Sequence, residues 1–67
     1  MSVARITEVT SSSSESFEAA VQVGITRANK TLKNIKGAWV KDQQVVVENG
    51  KVVAYRVRMK VTFILEE

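Results

Sequence analysis

Residues 45–65 read VVVENGKVVAYRVRMKVTFIL, and this stretch decides the fold. Asn49-Gly50 lies between valine-rich runs, and both central residues of a type I′ turn need positive φ, which Asn and Gly tolerate best. The pair predicts an antiparallel hairpin. Beyond it, Val53, Tyr55, Val57, Met59, Val61, Phe63 and Leu65 alternate with Ala54, Arg56, Arg58, Lys60, Thr62 and Ile64, the period of two of a strand with one buried face. The odd-numbered set is expected to face the core. A strand from Val52 to Leu65 would run ~46 Å at ~3.3 Å per residue, far longer than the usual five or six residues.

Working outward, Ala38 to Val47 predicts the other arm of the hairpin, and Val3 to Val9 a further short strand. Between them stands the chain's low-complexity patch, Ser11-Ser12-Ser13-Ser14, which reads as a helix entry. With Ser12 as N-cap, Glu15 falls at the third helical position, the spacing of a capping box. Phe17, Ala20, Val21, Gly24, Ala28, Leu32 and Ile35 then recur at helical spacing and predict an amphipathic helix of about five to six turns. Gly37 is expected to terminate it. The outer face carries Glu18 early and Lys30 and Lys33 late, as the helix dipole prefers. Gly24, inside the helix, costs roughly 1 kcal/mol relative to Ala and implies the close approach of another backbone. The expected fold class is α+β with the order β-α-β-β: a three-stranded antiparallel sheet wrapped around one helix, residues 1–67 forming a single domain.

A helix of ~30 Å does not cover such a strand. One sheet face stays open, carrying Trp39, Lys41, Arg56, Arg58, Lys60, Thr62 and Ile64, and two edges stay unpaired. A 67-residue chain without cysteine also lacks the disulfides that usually help domains this small. Self-association is the expected remedy. The open face then reads as either a solvated charged surface or the inner wall of an oligomer.

With no histidine and no cysteine, Ser-His and Cys-His nucleophilic catalysis and the common zinc motifs are excluded. The seven carboxylates form no evident acid/base pair, and the glycines at 24, 37 and 50 are isolated, so no phosphate loop is present. The protein is not expected to be an enzyme. Glu66-Glu67 reads as a solvated tail or a hard-cation ligand. Asp42 beside Gln43 and Gln44, close to Trp39, offers groups to orient a polar ring; the same segment also reads as a bulged strand. The net charge of +3 allows a nucleic-acid partner, with Arg56, Arg58 and Lys60 on one strand face, but four aromatic residues make a poor stacking platform. Met1 to Thr10 contains no long apolar run, so neither a signal peptide nor a membrane association is expected, and the cytoplasm is the default compartment.

The β-α-β-β order, the S-S-S-E-S-F segment, the A-N-K-T-L-K-N-I segment and the Y-R-V-R-M-K-V-T-F strand together resemble the dodecin family across nearly the whole chain. The resemblance implies a hollow homo-dodecamer that binds and stores a small molecule, with flavin (riboflavin or FMN) the leading ligand. It implies ligand-binding roles for Gly37, Trp39, Asp42 and Arg56, to which the reading of the residues adds Gln43. Gly37 stands where flavin-binding members stack a Trp, Trp39 follows two residues later, and Arg56 replaces a Gln that bonds the ring's polar edge. Asp42 matches a carboxylate near the flavin side chain. The pattern is similar to the branch lacking that Trp and Gln, and the alternative it carries is a shell holding a cation or an anionic nucleotide-like ligand, or one with a structural role alone.

Overall fold

A computed structural model of the chain describes residues 3–65. Its elements are β1 (Val3–Ser13), α1 (Phe17–Ala28), β2 (Ile35–Glu48) and β3 (Lys51–Leu65), the expected β-α-β-β order. The sheet order is β1-β3-β2, antiparallel throughout, so the long strand is central and pairs on both sides. The hairpin turn forms as its residues demand, with φ of 53° at Asn49 and 76° at Gly50.

The helix departs from expectation at both ends. Ser12 lies within β1, opposite Arg56, and the N-cap is Ser16. Ser16 is extended, and its Oγ accepts from the Ala19 amide at 3.0 Å. The serine run extends β1 because β3 is long enough to pair with it as far as Ser13↔Tyr55. Tertiary pairing outweighs a local cap signal here. Ser13 Oγ then accepts from the Glu15 amide at 3.0 Å, turning the chain into the helix. At the other end the helix stops at Ala28, where Lys30 and Thr31 donate to the carbonyls of Arg27 and Ala28, both at 3.1 Å, tightening the last turn. Asn34, at φ 61°, redirects the chain into β2. Gly37 is therefore a strand residue rather than a terminator, and Leu32 and Ile35 lie beyond the helix.

At ~1.5 Å per residue, twelve helical residues span only about 18 Å. The helix packs on β1 and β3. It buries Val57, Met59, Val61 and Phe63, the middle of the predicted odd-numbered set, together with its own Ala20 and Ala28. Tyr55 is half-buried, edge-on to Phe17 with ring centroids 5.1 Å apart, while Val53 and Leu65 lie outside the helix footprint and are exposed. Gly24 does mark a close approach, but to side chains: a β-carbon there falls 2.6 Å from both Met59 Cε and Ser11 Oγ.

Candidate ligand face

The sheet face away from the helix is built by the even-numbered residues of β3, and the strand register sets their neighbours. Lys60 lies between Glu8 and Trp39, Arg58 between Thr10 and Asp42, and Arg56 between Ser12 and Gln44. Thr62 lies between Ile6 and Gly37, and Gly37 is two residues from Trp39 on the same face. Trp39 is 73% exposed, and no heavy atom comes within 4 Å of a β-carbon built on Gly37.

A register shift between Val40 and Asp42 leaves Lys41 as an extra residue on β2. Its consequence is a change of parity. Before the shift Trp39 faces outward; after it, Asp42 and Gln44 take that side. Gln43 pairs with Val57 and so lies on the helix side of the sheet. The structure thus brings Gly37, Trp39, Asp42 and Arg56 onto one face, separates Gln43 from them, and adds Gln44. The segment is the bulged strand that was the alternative reading of Asp42-Gln43-Gln44. A sequence signal for it exists: Val40 and Val45 are five residues apart, an odd spacing, yet they pair with Met59 and Tyr55 on the same side.

The face is electrostatically active and solvated. Lys41 Nζ lies 3.3 Å from Glu8 Oε2, and Arg58 Nε lies 3.8 Å from Asp42 Oδ1, all four side chains about half exposed. Such pairs contribute about 0–1 kcal/mol each, so they remain available to exchange partners. Among the described residues no group of carboxylates is placed to hold a metal ion; Glu66 and Glu67 lie outside those residues. No helix among them is long and apolar enough to cross a membrane. A groove of about 690 Å³ runs between β1 and α1, lined by Val9, Ser11, Val23, Gly24 and Arg27 among others, and none of the five candidate residues lines it. Chemically, the open face offers one aromatic stacking surface ringed by donors and two carboxylates.

The Dodecin family profile matches residues 3–66. A dodecin of Thermus thermophilus is 37% identical over 60 residues, covering 90% of this chain and 87% of that one. The solved dodecin of Streptomyces davaonensis superposes with a TM-score of 0.94 at 32% identity, covering 98% of this chain and 97% of that one. The dodecin of Streptomyces coelicolor does so with a TM-score of 0.94 at 33% identity, over 98% and 94% of the two chains. A match over nearly every described residue, carried by the long central strand and its short helix, has one conclusion: the chain belongs to the dodecin family.

Proposed function

We propose that this chain closes into a hollow homo-dodecamer that holds a small planar molecule without transforming it, with flavin (riboflavin or FMN) the leading ligand. The observation that carries the reading is Trp39, a large aromatic left exposed on an uncovered sheet face of a dodecin-family fold. Soluble proteins seldom leave such a group to solvent amid other exposed apolar residues without a contact for it to make. The residues fit a flavin in part. Trp39 supplies a face to stack on, and the open space at Gly37 leaves room beside it. Arg56 donates but cannot accept from the ring imide; Gln44, its neighbour in register, does both.

The affinity is nevertheless weakened. Loss of a stacked Trp at position 37 removes about 1 kcal/mol beyond area burial, and an incompletely matched ring edge costs ~1–3 kcal/mol more. At 1.4 kcal/mol per decade, riboflavin should bind roughly two to three decades more weakly than in dodecins that hold both groups. Flavin fluorescence titration tests this. Weak quenching that disappears in Trp39→Ala is the expected result; quenching at nanomolar riboflavin that survives Trp39→Ala overturns it. Installing Trp at Gly37 together with Gln at Arg56 should strengthen binding. The second reading, a shell with another ligand, draws its support from Gly37 and Arg56 and is the outcome if riboflavin leaves the spectrum unchanged.

A further inference from the structure

Four cations fall within ten residues at the end of α1 and in the connection to β2: Arg27, Lys30, Lys33 and Lys36, with no carboxylate among residues 27–36. They carry +4 in a chain whose net charge is +3, so the remainder is slightly acidic and the positive field is concentrated here. All four are exposed. Among the described residues none of them forms an ion pair, whereas Lys41 and Arg58 of the sheet face are held by Glu8 and Asp42.

Helix electrostatics account for Arg27 and Lys30, three residues apart at the negative end of the α1 dipole. Lys33 and Lys36 lie beyond the helix. The Leu32 amide donates to the Ala28 carbonyl at 2.8 Å, so the chain is still turning there and Lys33 stays near the helix end. Lys36 is the extra residue where the register shifts between Ile35 and Gly37, which takes it out of the ladder. Exposed Thr26, Asn29 and Thr31 add uncharged donors among the cations.

We propose that residues 26–36 form a docking surface for the sugar-phosphate backbone of a double-stranded nucleic acid, separate from the ligand face and independent of the ligand read there. Cations mixed with hydroxyl and amide donors are the groups that contact phosphates without reading bases. Other polyanions fit less well. A single strand is held by stacking its bases on aromatic rings, and residues 18–38 contain none. An anionic bilayer takes an apolar anchor beside the charge, and Val23, 50% exposed, is the one large apolar side chain substantially exposed between residues 18 and 36. A duplex needs neither, because its phosphates are regularly spaced and accessible from outside.

Fluorescence anisotropy of a labelled duplex of about one helical turn, titrated with the assembled protein at several salt concentrations, tests this. Four phosphate contacts at ~0.9 each give a log–log salt slope near −3.6, an affinity loss of roughly 150-fold between about 50 and 200 mM salt. Lys33→Glu should flatten the slope by about one unit or more and weaken low-salt binding about tenfold. Lys30→Gln should act in the same direction. Lys51→Glu, the same charge change at the hairpin turn, should leave the slope unaltered. No binding at low salt, a slope near zero, or equal losses in Lys33→Glu and Lys51→Glu overturn the proposal. Sedimentation with vesicles of phosphatidylcholine and phosphatidylserine by a protein that leaves the duplex unbound also overturns it, and assigns the surface to lipid.

Discussion

Ser11 and Gly24 show how much one atom decides in a chain with so little interior. Ser11 Oγ donates to the Ala20 carbonyl at 2.6 Å, a contact that depends on the missing side chain of Gly24 one turn later. In a free helix Gly→Ala gains about 1 kcal/mol, but overpacking costs about 1–3 kcal/mol. The Met59 methyl ends a flexible chain and yields; the hydrogen-bonded Ser11 does not. Gly24→Ala is therefore expected to destabilise by up to ~2 kcal/mol and Gly24→Val by more. Urea denaturation at fixed protein concentration checks this, and a Gly24→Ala protein more stable than the parent would show that Ser11 moves aside. Residue type alone marked Gly24, Trp39, Asp42 and Arg56 for attention. It marked Gln43 and Gln44 alike and took Gln43 for the ligand face, because telling them apart requires the parity of β2, which changes at Lys41.

At the scale of elements, the helix entry and the hairpin turn make opposite cases. The four-serine run offers several caps of nearly equal local merit, and pairing with β3 selects among them. Ser16→Ala is expected to cost about 1 kcal/mol, whereas Ser12→Ala should leave stability within about 0.5 kcal/mol. Thermal unfolding of the two variants separates the caps; a larger loss at Ser12 would restore the longer helix. The turn has no such competition. With φ of 76° at Gly50, Gly50→Ala forces an L-residue into the left-handed region, a cost of roughly 1–2 kcal/mol readable in the same melts. Space is not the obstacle, since nothing lies within 4 Å of a β-carbon there.

At the scale of the whole molecule, the described residues span 51 Å in length and only 19 by 14 Å across, the shape of the central strand. The core it encloses is short, and β2 gains little cover from the helix: Val40 is 48% and Val47 55% exposed. Val3 and Ile6 on β1 are also largely exposed. Apolar surface distributed this way suits the proposed assembly, in which contact with other copies would contribute roughly 25 cal/mol per Å² removed from water. Light scattering is expected to give a mass near twelve copies of the 7.4 kDa chain, and dilution or denaturant should dissolve the assembly and the sheet together. A folded monomer at micromolar concentration would refute this.

Alternating residues from Val53 to Leu65, the Asn-Gly turn and the helical spacing from Phe17 to Ala28 determined the order of elements, because period, turn dihedrals and amphipathicity are local properties. They also determined which face of β3 is buried. Where the helix begins and ends was decided by the tertiary structure, since β3 pairs with β1 through Ser13 and so removes the serine run from the helix. The composition of the ligand face was decided there too. One extra residue at Lys41 moves Gln43 to the helix side and Gln44 beside Arg56, and a side chain's face depends on every residue of register between it and its partners.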